Sequence, residues 1–130
     1  FEEGTRLSRK FGKACTIKVP CTPDGLRVCR ELSRSLVNVN VTLIFSAAQA
    51  ILAAKSGAKY VSPFVGRVDD NSFVGMDLIE QISDIYTIQN VHKTEILSAS
   101  IRDVKSVSDS FASGAHVVTI PPTVFEKMYN

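Results

Sequence analysis

Five short runs rich in β-branched residues recur along the 130-residue chain, each followed by a helix-forming stretch, and this alternation limits the possible folds severely. The runs are 15–20, 39–45, 60–65, 95–100 and 116–120, and a helix around 3–11 precedes the first. Thr22 reads as an N-cap with Pro23 at the first helical position and Asp24 near the positive end of the dipole; this helix continues to about Leu36. Ser46 to Gln49 has capping-box spacing and opens an alanine-rich helix that stops at Gly57. A polar loop is expected over 66–75, a helix over 76–87, a helix over 103–112 ended by Gly114, and a short last helix after Pro121-Pro122. The order is α(βα)₅. Its crossovers suit parallel neighbours, predicting an α/β fold with a parallel sheet covered by helices. No linker or low-complexity segment divides the chain, so residues 1–130 read as one domain.

The chain is 45% hydrophobic and 22% charged, which suits an ordinary core, and its net charge of +2 is spread evenly. Neither nucleic acid nor an anionic membrane is expected as a partner. No apolar stretch reaches spanning length, and Phe1 opens no signal-peptide pattern. Cys15, Cys21 and Cys29 lack metal-ligand or disulfide spacing and fit the reduced thiols of a cytoplasmic protein. His92 and His116 read as structural, and no metal site is expected.

Strand side chains alternate between faces, so parity can be read directly. Lys18 shares a face with Thr16 and Pro20; Asn40 shares one with Thr42, opposite Val41, Leu43 and Phe45. Ser62 lies with Tyr60 and Phe64, and Ser98 with Ser100, opposite Leu97, Ala99 and Ile101. Each strand thus has one apolar face and one bearing amine, amide or hydroxyl groups toward its C-terminal end. That pattern predicts a barrel with helices outside and a polar rim inside.

Lys18 is the most suggestive residue for chemistry. An ammonium ion in mid-strand is costly to desolvate, and a desolvated lysine, neutral at lower pH, is the nucleophile that forms Schiff bases. The alternative is an edge-strand lysine with its stem packed and its head in water. Arg67 and Arg102, just past the third and fourth strands, could clamp an anion with Ser100. They could equally be surface arginines paired with Asp69, Asp70 or Asp103. Both pairs of readings stay open on spacing alone.

Four segments together resemble the transaldolases and fructose-6-phosphate aldolases: Ile17-Lys18-Val19-Pro20, the stretch from Asn40 to Gln49, Ser62-Pro63-Phe64-Val65-Gly66-Arg67, and Ser98-Ala99-Ser100-Ile101-Arg102. The resemblance implies a (βα)₈ barrel and a class I aldolase-type reaction of the pentose phosphate pathway. Lys18 matches the lysine that forms a protonated imine with a ketose phosphate such as fructose 6-phosphate. Carbon–carbon cleavage then leaves a dihydroxyacetone enamine, which an aldehyde such as erythrose 4-phosphate captures. Asn40 and Ser62 match positions that hydrogen-bond the intermediate, and Thr42 the residue that helps hold a catalytic water. Arg67, Ser100 and Arg102 match the phosphate site. Phe64 resembles the transaldolases, whereas the aldolases carry a tyrosine that assists protonation of the enamine; transfer is therefore favoured over simple C–C lysis. No metal or organic cofactor is implied, and a homo-oligomer is expected.

The resemblance also implies absences. Five strands correspond to the fourth to eighth of a barrel that usually takes about 250 residues. The family's proton-shuttling aspartate and glutamate would precede Phe1. Two open sheet edges are expected, at the Lys18 strand and the His116 strand, along with little turnover by this polypeptide alone. Two other readings compete: a flavodoxin-like module with strand order 2-1-3-4-5, and a non-catalytic oligomerising (βα)₅ unit.

Overall fold

The computed structural model describes residues 1–130. Helix α1 (Glu2–Phe11) leads through a 3-10 turn to strand β1 (Thr16–Pro20), followed by α2 (Pro23–Arg34), β2 (Asn38–Ile44), α3 (Ala47–Lys55) and β3 (Tyr60–Pro63). Then come α4 (Val65–Asp70), α5 (Gly75–Ile88), β4 (Glu95–Ser98), α6 (Val104–Ser113), β5 (Val117–Val118) and α7 (Pro122–Lys127). The expected caps form. Thr22 accepts the Gly25 N–H at 3.0 Å, and Ser46 accepts the Gln49 N–H at 3.2 Å. Asp103, expected as the first residue of the helix, instead caps α6 by accepting the Ser106 N–H at 2.7 Å, and Gly114 closes α6 as expected in the left-handed region at φ 115°.

All five strands are parallel and lie in the order β1-β2-β3-β4-β5. Each pairs only with its sequence neighbours, so right-handed crossovers stack every helix on the same face. This is an open run of consecutive staves from a (βα) barrel. The flavodoxin-like order 2-1-3-4-5 is excluded. The outermost strands, β1 and β5, each have one unpaired edge.

The register shows what the helices cover. Val19 aligns with Val41, Val41 with Val61 and Val61 with Ile96, and the last three are fully buried beneath the helices. On the opposite face Lys18 aligns with Asn40, Asn40 with Tyr60, and Tyr60 with Glu95.

Three sequence expectations need correction. The polar segment after β3 is not all loop: α4 forms because Val65, Gly66 and Val68 are buried while Arg67, Asp69 and Asp70 face solvent. Leu43 and Phe45 do not share the face of Val41. A bulge between Val41 and Ile44, with Leu43 at φ 60°, shifts the parity, so that Ile44 is buried and Phe45 is turned outward, 42% exposed. Ser98 lies on the helix side with Ile96, where its hydroxyl and that of Ser110 on α6 are 2.9 Å apart. A hydroxyl can be buried there because α6 supplies a partner. The uncovered face of β4 carries Glu95 and Leu97 instead.

Candidate functional site

The uncovered face carries a row of polar groups across three strands. Asn40 lies beside Lys18 in register, and the Ser62 hydroxyl donates to Asn40 Oδ1 at 2.8 Å. Ser62 is fully buried and Asn40 half-buried. The amide oxygen is thus fixed by β3, which leaves the two amide N–H groups free to donate. Thr42, next along the same face, is buried, and its Oγ1 has no hydrogen-bond partner among the protein atoms. Buried hydroxyls are seldom left so, and this one is suited to holding a water or a ligand oxygen.

Lys18 stands at the edge of this row and is exposed, with no hydrogen bond or ion pair to the chain. The shelter expected of a mid-strand lysine is therefore not supplied by these 130 residues. The physical reason is local: β1 is an outermost strand, and nothing covers its polar face.

A second group gathers where β3 and β4 end. The Gly66 N–H donates to the Ser100 carbonyl at 3.1 Å, bringing the α4 backbone against the turn after β4. A Cβ on Gly66 would fall 2.4 Å from that carbonyl and 2.8 Å from both Ser100 Oγ and Arg102 Nε, so only glycine fits. Ser100 has φ 59°, a left-handed conformation uncommon outside glycine and concentrated at functional sites. Arg102 donates from Nη1 and Nη2 to the two carboxylate oxygens of Asp70 at 2.7 and 2.8 Å. The guanidinium hydrogen bond holds the Asp70 carboxyl below its ordinary pKa, and the same bond raises that of Arg102. Arg67 is exposed without an ion pair, and its guanidinium lies 5.4 Å from the centroid of the Phe64 ring. The Phe45 ring meets Phe64 edge-on, centroids 6.1 Å apart.

Lys18, Asn40 and Ser62 are thus neighbours on one face, while Ser100, Arg102 and Gly66 cluster at its C-terminal rim beside Arg67. Sequence reasoning missed Gly66, whose signal was a glycine directly after a strand and before an arginine. It also missed Phe45, which parity placed on the wrong face.

Comparison with known proteins identifies the family. Residues 1–130 match the family described as transaldolase/fructose-6-phosphate aldolase. The chain is 54% identical over 127 residues to a probable transaldolase of Nitrosopumilus maritimus, covering 98% of this chain and 57% of that protein. It is likewise 54% identical over 130 residues to a probable transaldolase of Paracoccus denitrificans, covering all of this chain and 59% of that one. The chain therefore spans somewhat under two thirds of the length of these relatives. Among solved structures, GMP reductase from Trypanosoma brucei superposes with a TM-score of 0.72 at 14% identity, over 95% of this chain and 28% of that one, a likeness of fold alone. With the family matched from the first residue to the last, the chain belongs to the transaldolase/fructose-6-phosphate aldolase family.

Proposed function

We propose that this protein takes part in transaldolase-type transfer of a dihydroxyacetone unit between sugar phosphates, with Lys18 as the Schiff-base nucleophile. The observation that carries the reading is the Lys18–Asn40–Ser62 row, in which an amine sits beside an amide whose orientation a buried serine fixes. The Lys18 amine adds to the C2 carbonyl of a ketose phosphate such as fructose 6-phosphate, and loss of water gives a protonated imine. As the C4 hydroxyl gives up its proton to water, the electron pair of the C3–C4 bond moves into this sink, releasing an aldose phosphate and leaving an enamine on the lysine. The enamine attacks an aldehyde such as erythrose 4-phosphate, and hydrolysis frees the product and the amine.

Asn40 donates from its free amide hydrogens to the hydroxyls of the intermediate, and Thr42 holds the water that enters and leaves. Arg67, Ser100 and Arg102 take the phosphate. Guanidinium groups suit its oxygens, and in the absence of substrate Asp70 occupies Arg102. Phe64 brings no hydroxyl to the enamine and is packed between Phe45 and Arg67, which favours transfer over the lyase reaction of a fructose-6-phosphate aldolase. Catalysis also needs the lysine desolvated. The five-stranded sheet leaves it in water, so turnover by the 130-residue polypeptide alone is expected to be slight. Full activity requires the polar face to be covered.

Borohydride reduction in the presence of fructose 6-phosphate, followed by intact mass and peptide mapping, tests the reading. A single adduct on Lys18, lost in Lys18→Arg, is the expected result. Labelling scattered over other lysines, or none once the polar face is covered, would remove the proposal.

A further inference from the structure

The two aspartates that end α4 have different partners. Asp69 Oδ1 accepts the Gly75 N–H at 2.7 Å and so ties α4 to the start of α5. Asp70, the last residue of α4, accepts instead from Nη1 and Nη2 of Arg102, 32 residues further along the chain. That hydrogen bond, and behind it the charges of Arg102 and Arg67, hold the Asp70 carboxyl below its ordinary pKa. The carboxylate therefore lies in the field of both guanidinium groups, where the phosphate of a sugar would lie.

Two features keep this pair from being a fixed part of the fold. The Arg102 and Asp70 side chains are 57% and 54% exposed, and an ion pair so open to water contributes little to stability. The carboxylate also stands at the carbonyl end of α4, where a helix disfavours negative charge. No group other than Arg102 donates to it. Arg67, by contrast, carries no carboxylate and rests on the Phe64 ring.

We propose that Asp70 is a built-in competitor of the sugar phosphate, holding the fork of Arg102 until an incoming phosphate group displaces it. The inference rests on the reading of Arg67, Ser100 and Arg102 as the phosphate site and adds what regulates that site. A guanidinium fork takes a carboxylate or two phosphate oxygens in the same geometry, so the two ligands exclude each other. With the site empty, Asp70 offsets one of two neighbouring positive charges. Arg67 is then the free cation that meets the phosphate first. As the anion reaches Arg102, like charge drives Asp70 off and its oxygens pass into water. The competition lowers affinity for every phosphate ester by the same factor.

Phosphate binding can be measured without turnover. Isothermal calorimetry with inorganic phosphate and with fructose 6-phosphate should show Asp70→Asn binding both about two- to fivefold more tightly than the parent chain, the range that an exposed ion pair supports. Asp69→Asn removes a charge one residue away, leaves Arg102 paired and can still accept the Gly75 N–H, so it should gain less. A second measurement needs no substitution. As phosphate is titrated into the parent chain, the NMR resonances of the Asp70 carboxyl carbon and the Arg102 Nε–H should move together, with the half-saturation that calorimetry gives. Equal or weaker binding by Asp70→Asn, an equal gain in Asp69→Asn, or an Asp70 resonance that phosphate leaves in place would overturn the inference while the phosphate site stood. Phosphate binding by none of the three proteins would remove the site itself, and the inference with it.

Discussion

At the scale of single residues, backbone angles expose choices that composition hides. The end of α2 is a Schellman motif: Leu36 N–H bonds the Ser33 carbonyl at 3.0 Å, and Val37 N–H bonds the Leu32 carbonyl at 3.0 Å. The position that usually takes glycine holds Leu36, at φ 61° and 94% exposed. Its side chain packs on little, so Leu36→Gly should stabilise the fold by about 1 kcal/mol, the left-handed cost being removed. Chemical denaturation with an unchanged m-value checks this. Gly66→Ala should act oppositely. The added methyl must push the Ser100 carbonyl and Arg102 aside, so the fold should lose about 2 kcal/mol or more and sugar-phosphate affinity should fall; calorimetry with fructose 6-phosphate measures both. Side-chain caps such as Thr22 and Ser46 were legible because a hydroxyl three residues before an N–H is a local signal. Leu36 and Gly66 were not, since their roles depend on φ and on a chain segment distant in sequence.

At the scale of elements, strands were found wherever β-branched residues cluster, but the faces were read correctly only for β1, the first part of β2, and β3. In β2 the bulge at Leu43 adds one residue and inverts everything after it, which no alternation rule can see. In β4 a serine was assigned to the polar face by its chemistry, whereas Ser110 on α6 makes the helix side acceptable for Ser98. The polar residues following Gly66 masked α4, whose two buried valines are too few to show a period. Helix pairing depended on contacts absent from sequence patterns, such as the 2.6 Å bond from the buried Tyr86 hydroxyl on α5 to the Ala50 carbonyl on α3. Burial pushes the Tyr86 hydroxyl above its ordinary pKa, so it stays a neutral donor across the physiological range. Tyr86→Phe should cost about 1 kcal/mol by removing the hydroxyl's hydrogen bond to the Ala50 carbonyl, which keeps its own place in the α3 helix ladder. Thermal unfolding of the variant, followed by far-UV circular dichroism, would register that loss.

At the scale of the whole molecule, the alternating order announced parallel strands, and only the strand sequence β1 to β5 separates barrel staves from a doubly wound sheet. The candidate lysine was legible as a residue, and its exposure as the edge-strand alternative; spacing alone could not choose between the two, because shelter is a property of the surrounding strands. The outermost strands should be the least protected. Amide exchange read by mass spectrometry should be fastest in β1 and β5 and slowest in β2 and β3, where Val39, Val41 and Val61 are fully buried. Equal protection across all five strands would show that both edges are covered in solution. The sequential pairing has a kinetic corollary. A chain whose every stave touches only the one before and after it resembles a solenoid, so its cooperativity is carried from neighbour to neighbour. Such a molecule can grow stave by stave behind a ribosome and fray from either end, with its middle the last part to melt.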